Sequence, residues 1–274
     1  MKWLNIWELR AWGKKQIETQ EADQLLMGLL GIDRHSQLFT WTAPITNTKF
    51  QQFRRMIVER QTGKPIQYIL GYWDFMGLKL EINQDVLIPR NDTEFLVRQV
   101  CEGEKERTKG LEIGIGSGCI SIALTMFGNM QMTGVDICPK ALAVAKTNFE
   151  RIVGMPHKFL QSNLFDNLTK GDKFDFIVSN PPYIPTDHIE GLDASVKDFE
   201  PNKALNGGTD GLDFYRKIVG AAKDWLVNGG RIYFEIGHNM GNAVESILQE
   251  GGFLNIKITK DLSGHDRVIT AFAK

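Results

Sequence analysis

The pattern of apolar and polar residues divides the chain into a helical first part and a second part in which strands and helices alternate. Before Gly71, segments such as EADQLLMGLLGI and FQQFRRMIVERQTG place apolar residues three and four positions apart, which is the spacing of an amphipathic helix. The segment YWDFMGLKLEINQDVLIP then alternates apolar and polar residues and predicts a β-hairpin. We therefore expect a helical domain over residues 1–72 and a hairpin linker over 73–90.

Residues 91–274 show the rhythm of an α/β domain. The strand-like runs GLEIGI, QMTGVDI, FDFIVSN and RIYFEIG alternate with helix-like segments such as PKALAVAKTNFERIV and GNAVESILQ. This order predicts a mostly parallel, Rossmann-like sheet covered by helices on both faces, with a long loop after FDFIVSN. The last two strand-like runs, LNIKITKDL and RVITAFAK, are joined by the turn SGHD, so they should form an antiparallel hairpin.

A glycine-rich loop, EIGIGSG, joins the first strand of this domain to a helix. After Gly114 and Gly116 the next glycine is Gly118, and Cys119 stands where a dinucleotide fingerprint has its last glycine. Asp136 ends the following strand, where a carboxylate can accept hydrogen bonds from both hydroxyls of a ribose. A ribose site without a pyrophosphate site favours S-adenosylmethionine, although each feature taken singly also fits a plain turn and a solvated acid.

The segment IVSNPPYIP ends an apolar strand with a polar amide, two prolines and a tyrosine. Asn180 lies at the carboxyl end of its strand, the end where open α/β sheets bind ligands. Its side-chain carbonyl and the backbone carbonyl of Pro181 can each accept a hydrogen from one NH₂ group, and acceptor dipoles stabilise positive charge that builds on the nitrogen. Pro181 and Pro182 stiffen the turn, and Tyr183 offers a flat face to a planar group. The alternative is a structural turn in which Asn180 satisfies its own backbone.

Composition narrows the function classes. The formal charge is −1, from 32 Lys and Arg against 33 Asp and Glu, so the chain lacks the excess basicity of a general nucleic-acid binder. Scattered cysteines and histidines predict neither a disulfide framework nor a metal site. No apolar run reaches the roughly 18 residues of a membrane span, and we expect no export signal and a reduced, cytoplasmic protein. A basic cluster near the end of the helical domain fits either an acidic partner or a solvated helix face; it comprises Arg54, Arg55, Arg60 and Lys64.

Several motifs taken together resemble the PrmC/HemK family. They are GKPIQYILG (63–71), LIPRNDTE (87–94), EIGIGSG, VSNPPYI, FEPNKALNGGTDGLDFYR (199–216), EIGHNMG and DLSGHDR (261–267). Members of that family methylate the glutamine of the Gly-Gly-Gln motif in class-I peptide chain release factors. The resemblance implies a class I S-adenosylmethionine-dependent methyltransferase fold, S-adenosylhomocysteine as product, and no metal. It also implies a monomer that binds release factors, with the helical domain docking the substrate, and no stable complex with nucleic acid or membrane.

The resemblance also implies roles for individual residues. The donor site would comprise Glu112, Gly114, Ile115, Gly116, Ser117, Gly118, Asp136, Asn163, Leu164 and Asn180. The substrate glutamine would be held by Asn180, Pro181, Pro182 and Tyr183, which would also be the catalytic residues. Arg90, Thr93 and Glu94 would border the pocket, or else form a helix N-terminus. Glu112 and Asn163 replace aspartates that are commoner in the family, and Met240 replaces a glutamine. A neutral Asn163 would weaken donor affinity, and Leu164 would pack against adenine or belong to the core.

Three other functions remain open at this stage. The side-chain carbonyl of Asn180 and the backbone carbonyl of Pro181 would together form a clamp for an NH₂ group. A DNA or RNA amino-methyltransferase would use the same clamp on a flipped base, but it would need a basic recognition region. A glutamine methyltransferase of a ribosomal protein would differ in its N-terminal domain, where QYILG favours the release-factor branch. A non-catalytic S-adenosylmethionine-binding assembly factor would not require the full Asn-Pro-Pro-Tyr turn.

Overall fold

The structure, a computed structural model, describes residues 5–104 and 109–274. The first four residues of the predicted helical domain and residues 105–108 of the predicted sheet domain lie outside this part of the chain. The described chain divides into two compact units near Tyr72. Asp193–Phe199 belongs to the first unit although it comes late in the sequence.

The first unit is helical, as its 3.6-residue periodicity predicts. Its helices before the unit boundary are α1 (Ile6–Gly13), α2 (Thr19–Leu30), α3 (His35–Thr40), α4 (Asn47–Gln61) and α5 (Ile66–Leu70). A capping box begins α1, where the Asn5 side chain accepts from the Glu8 backbone at 2.9 Å and Glu8 reciprocates at 3.1 Å. Phe53 and Ile57, one helical turn apart on α4, are both buried in the core of this unit.

Ion pairs neutralise part of the basic cluster in this unit. Arg60 pairs with Glu21 at 2.7 Å, and Lys64 pairs with Glu59 at 2.6 Å. Arg54 and Arg55 are exposed on α4. Only Arg54 and Arg55 of this cluster are therefore exposed, and their two interpretations, contact with an acidic partner and a solvated helix face, both stay predictions.

The second unit contains a two-stranded sheet followed by a seven-stranded one. The strands β1 (Tyr72–Phe75) and β2 (Leu78–Glu81) form the small sheet where the alternation predicts a hairpin. The large sheet comprises β3 (Lys109–Ile113), β4 (Gln131–Asp136), β5 (Lys158–Gln161), β6 (Phe174–Ser179), β7 (Leu226–Glu235), β8 (Leu254–Lys260) and β9 (Asp266–Phe272). Its order is β5-β4-β3-β6-β7-β9-β8. The first five strands in that order run parallel, and β9 pairs antiparallel with both β7 and β8, which confirms the predicted fold class.

Helices cover both faces of the large sheet. They are α6 (Asn91–Gly103), α7 (Cys119–Gly128), α8 (Pro139–Ile152), α11 (Asp213–Ala222) and α12 (Gly241–Glu250). Successive residues of a strand point to opposite faces, and β6 shows the consequence: Ile177 packs in one core with Tyr215, while Phe176 and Val178 pack in the other with Leu96. Within the described chain, none of the helices combines the length and apolarity that a bilayer span requires.

The connection between β6 and α11 differs from the long loop that the sequence predicts. It contains a 3₁₀ helix (Thr186–Gly191) and the short helices α9 (Ala194–Lys197) and α10 (Asn202–Leu205). Each is too short to give a periodic apolar pattern, so the sequence carries no signal for them.

The strand order places a crevice between β3 and β6. From β3 the chain moves outward to β4 and β5, and it then returns to the other side of β3 with β6. Such a reversal opens a crevice at the carboxyl ends of the two central strands. The glycine loop follows β3 and Asn180 follows β6, so the topology brings the two predicted motifs together.

Candidate functional site

A cavity of about 640 Å³ lies at the carboxyl ends of β3, β4 and β6. The residues predicted from the sequence that line it are Arg90, Thr93, Glu112, Gly114, Ile115, Gly116, Ser117, Asp136, Asn163, Leu164, Asn180, Pro181 and Pro182. Gly118, Tyr183 and Glu94, also predicted, are not among its lining residues. The structure thus brings most of the predicted donor and substrate residues into one cavity.

The glycine loop presents bare backbone to this cavity. Gly114 and Gly116 have φ of 77° and 53°, values that favour glycine. A Cβ built on either residue would have no protein atom within 4 Å, so each glycine borders open space. Gly118 instead packs against α8, where its Cβ would lie 3.3 Å from that of Ala145. The loop therefore fits a ligand that lies directly against the backbone of Gly114 and Gly116.

Asp136, the last residue of β4, is held rigidly beside this loop. One carboxylate oxygen accepts from the Gly116 backbone at 3.0 Å and the other from the Cys138 backbone at 2.8 Å. Each oxygen retains capacity for a further hydrogen bond, as recognition of a ribose diol requires. Burial raises the pKa of Asp136 although these backbone donors act in the opposite direction.

Glu112 is buried at the end of β3, beneath the loop. One of its oxygens accepts from the Ser121 backbone at 2.8 Å and also from the Ser121 hydroxyl. Burial raises the pKa of its carboxyl to about 8, more than these two hydrogen bonds lower it. Glu112 thus lines the cavity while its partner within the protein is the first part of α7.

Asn163 and Leu164 form another part of the cavity wall. The Asn163 amide nitrogen donates to Asp166 at 3.2 Å, so its amide oxygen is the group left to meet a ligand amine. Leu164 adopts a φ of 53°, packs against the core beneath it and also lines the cavity. Leu164 therefore serves the core and also lines the cavity, and its contact with adenine stays a prediction.

The amide of Asn180 is fixed by a residue from another segment. Its Nδ2 donates to the hydroxyl of Thr93 at 3.1 Å, so its partner is not its own backbone, as the structural-turn alternative would require. Among the described residues, neither the Asn180 Oδ1 nor the Pro181 carbonyl accepts a hydrogen bond. The site therefore holds two neighbouring acceptors on the cavity wall.

Backbone contacts pin the Asn-Pro-Pro-Tyr turn to the segment that follows α10. The Ile184 backbone donates to Leu205 at 3.0 Å and accepts from Gly207 at 2.9 Å. A Cβ at Gly207 would lie 2.7 Å from the Pro182 carbonyl oxygen, so only glycine permits this approach. The turn is consequently stiffened from outside as well as by its own prolines.

Two predicted site residues lie elsewhere. Glu94 accepts from the Met76 backbone at 3.1 Å and faces Arg98 at 3.5 Å, so it supports the β1–β2 turn instead of bordering the cavity. Tyr183 is half-buried, and burial raises its pKa to about 12. Its ring and the Met240 side chain both approach Gly237, outside the cavity lining, and the contact of Tyr183 with a planar substrate group stays a prediction.

Other functional candidates were missed by sequence reasoning. Two buried acids support the cavity wall: Glu200 pairs with Arg90 and accepts from the Ile88 backbone, and Glu235 accepts from Thr93. Further lining comes from Asp85, Val86, Leu87 and Pro89 and from Pro201, Asn202, Lys203, Ala204, Asn206, Phe214 and Lys217. The motif FEPNKALNGGTDGLDFYR (199–216) was the available signal for the second group, apart from Lys217, which follows it. Within the described part of the chain, no cluster of His, Cys, Asp or Glu is arranged to hold a metal ion.

Solved structures with this fold are methyltransferases. A methyltransferase from Pyrococcus furiosus is 19% identical, with a TM-score of 0.55 over 80% of this chain and 96% of its own. The 16S rRNA N2 G1207 methyltransferase of T. thermophilus, in complex with AdoMet and guanosine, is 18% identical, with a TM-score of 0.54 over 74% of this chain and 50% of its own. The order and direction of the strands, together with these likenesses, show that this chain has the class I methyltransferase fold.

The sequence comparisons identify the family. Residues 8–71 match the PrmC N-terminal domain, and residues 91–193 match the methyltransferase small domain. The release factor glutamine methyltransferase of Geobacter sulfurreducens is 39% identical over 91% of this chain and 87% of its own. That of Bacillus cereus is 34% identical over 98% and 99%, and that of Fusobacterium nucleatum is 40% identical over 92% and 72%. The chain belongs to the release factor glutamine methyltransferase family.

Proposed function

We propose that this protein transfers a methyl group from S-adenosylmethionine to the side-chain amide nitrogen of the glutamine in the Gly-Gly-Gln motif of class-I peptide chain release factors, acting as a monomer. The observation that carries the proposal is the pair of acceptors, the Asn180 Oδ1 and the Pro181 carbonyl, on the wall of the cavity that the glycine loop borders. Family membership supports the identity of the substrate.

The residues present fit the methyl donor. The bare backbone at Gly114 and Gly116 leaves room for a ligand in close contact, and the Asp136 carboxylate has acceptor capacity for two ribose hydroxyls. Asn163 would accept from the adenine amine through its amide oxygen, and Leu164 would pack against the base. When bound, S-adenosylmethionine supplies an electrophilic methyl group. The cavity, about 640 Å³, falls within the range of small-molecule sites.

The chain's own residues would activate the amide by position instead of by a general base. Hydrogen bonds to the Asn180 Oδ1 and the Pro181 carbonyl would hold both N–H bonds of the glutamine NH₂ and orient its lone pair. Positive charge builds on nitrogen during transfer, and the two acceptor dipoles stabilise it. Transfer forms the N–C bond, breaks the S–C bond of the donor and releases S-adenosylhomocysteine, and the cationic amide nitrogen then loses one proton to solvent water. A single oriented hydrogen bond of this kind raises the rate of an enzyme by a factor of roughly 10²–10³.

The helical unit would dock the release factor. Arg54 and Arg55 are exposed on α4 and would meet acidic side chains of the substrate. Two charges at an exposed site act mainly on association and orientation. Docking through a separate unit would leave the cavity free to take a single extended loop that carries the glutamine.

The first test is mass spectrometry of a purified class-I release factor after incubation with this protein and S-adenosylmethionine. One added methyl group on the Gly-Gly-Gln glutamine is expected, with none on a factor in which that glutamine is replaced. The proposal fails if donor binding is intact and the factor is unmodified. Ribosomal proteins and adenine-containing nucleic acid, assayed in parallel, would then distinguish the other methyl acceptors.

A further inference from the structure

A buried polar chain continues from Asn180 into the protein. The Asn180 Nδ2 donates to the Thr93 hydroxyl at 3.1 Å, and that hydroxyl donates to the Glu235 carboxylate at 2.7 Å. Thr93 is 2% exposed and Glu235 1%, so water does not compete for these hydrogen bonds. Thr93 lies on α6, Asn180 in the turn after β6, and Glu235 at the end of β7, so the clamp depends on contacts among three separate segments.

The donor and acceptor rules give this chain a direction. A charged carboxylate can only accept hydrogen bonds, so Thr93 must turn its single hydrogen toward Glu235. The Thr93 oxygen can then only accept from Asn180, which places the amide nitrogen inward and leaves the Asn180 Oδ1 as the group for the substrate. If Glu235 carries a proton, the chain can reverse: Thr93 can donate to the Asn180 oxygen, and the amide nitrogen takes the substrate position.

We propose that Glu235, acting through Thr93, is a positioning residue that fixes the amide orientation of Asn180 and so sets the polarity of the clamp. The inference rests on the proposed function, because a clamp for an NH₂ group needs an acceptor at that position. An inverted Asn180 would direct its own N–H bonds at those of the substrate. Glu235 would control activity without contacting the substrate.

The surroundings of Glu235 shift its pKa so that the carboxyl gains or loses its proton near neutral pH. Burial raises the pKa of Glu235 to about 7, while the Thr93 hydroxyl, Arg267 and the Asn180 amide lower it and Asp92 raises it. The Tyr215 hydroxyl donates to the Glu235 backbone carbonyl at 2.8 Å, which fixes the end of β7. Other titratable groups that sense the Glu235 charge are Tyr183, Tyr215 and Cys119. The acceptor orientation is therefore expected to be complete above neutral pH and to be lost below it.

The first test observes the amide directly, without catalysis. In the full-length protein with S-adenosylhomocysteine, the side-chain ¹H–¹⁵N pair of Asn180 should titrate with a midpoint near pH 7, because burial raises the pKa of Glu235 to about 7. Glu235→Gln should abolish this titration, and Thr93→Ser, which keeps the hydroxyl, should retain it. Thr93→Val should reduce its amplitude to what the direct Asn180–Glu235 interaction gives. Full amplitude in Thr93→Val, or an Asn180 pair that does not respond to pH in the wild type, would overturn the relay from Glu235 through Thr93 to Asn180.

The second test separates orientation from binding and from folding. With the release factor as substrate, Thr93→Val should lower kcat about tenfold or more with an unchanged donor Kd, and Thr93→Ser should restore most of the rate. The wild-type kcat/KM should fall about tenfold per pH unit below pH 7, and Glu235→Gln should lose that dependence. Thr133→Val, at a buried threonine on β4 outside the cavity, is the matched control and should behave as wild type.

The two tests keep the relay separate from the proposed function. If the wild type methylates no release factor, the proposed function fails, while the amide titration still reports on the relay. If the wild type is active but Thr93→Val keeps full kcat and the same pH profile, the relay fails and the proposed function stands.

Discussion

Alanine at Gly116 tests whether the glycine loop holds the donor. Gly116 has a φ of 53°, and its Cβ would have no protein atom within 4 Å. The substitution therefore adds no clash within the protein, and its cost is the left-handed backbone, about 1–2 kcal/mol. Gly154 is the matched control, because it has a φ of 69°, equally open space at its Cβ, and no place in the cavity lining.

Both variants should lose similar stability, measured as the urea midpoint without ligand, but only one should lose affinity. The Cβ of Gly116→Ala would occupy space that the donor needs, so the Kd of S-adenosylmethionine from titration calorimetry should rise about tenfold or more, equivalent to at least about 1.4 kcal/mol. Gly154→Ala should leave that Kd unchanged. An unchanged Kd in Gly116→Ala would refute the donor site, and equal Kd increases in both variants would show that strain in the fold is the cause.

Three further predictions concern the clamp, the buried acid beneath the loop and the helical unit. Asn180→Ala should lower kcat by roughly 10²–10³ in single-turnover assays with an unchanged donor Kd; a parallel loss of donor affinity would contradict the clamp. Because burial raises the pKa of Glu112 from 4.5 to about 8, its contribution to stability is complete below pH 4.5 and is lost as pH rises to 8. Urea unfolding of the ligand-free protein should therefore give Glu112→Gln the same free energy of unfolding as the wild type at pH 4.5. At pH 8 the free energy of unfolding of the variant should be higher by up to about 4 kcal/mol. Identical pH profiles would show that folding does not raise the pKa of Glu112. The double variant Arg54→Glu, Arg55→Glu should raise the KM for an intact release factor several-fold and leave the KM for a short Gly-Gly-Gln peptide unchanged, whereas an equal rise for both would place docking elsewhere.

Local sequence rules were enough to predict which residues meet at the centre of the cavity. Gly114 and Gly116 follow one strand, Asp136 ends the next, and Asn180 follows a third. Parallel strands bring their carboxyl ends to one edge of the sheet, so positions at strand ends could be grouped without knowing any distance. The fold class could be predicted for the same reason, since strand and helix periods differ along the chain.

Side-chain direction and distant partners could not be predicted in this way. Glu94 follows Thr93 on α6, and one residue along a helix turns the side chain by about 100°, so one reaches the cavity and the other reaches Met76. Glu235 lies 142 residues after Thr93, and no local pattern connects them. The same limit applies to Asp193–Phe199, which joins the helical unit through tertiary contacts alone.

Two buried acids indicate that this edge of the sheet favours function over stability. Glu112 and Glu235 end or nearly end β3 and β7 at the cavity, and burial raises the pKa of each, to about 8 and about 7. A buried charge opposes folding unless it is fully paired, and an apolar residue at either position would avoid that penalty. Each carboxylate instead engages the machinery of the site, Glu112 at the start of α7 beneath the glycine loop and Glu235 at the hydroxyl that orients Asn180. Retaining two such groups is expected where stability is traded for the orientation of neighbouring polar atoms.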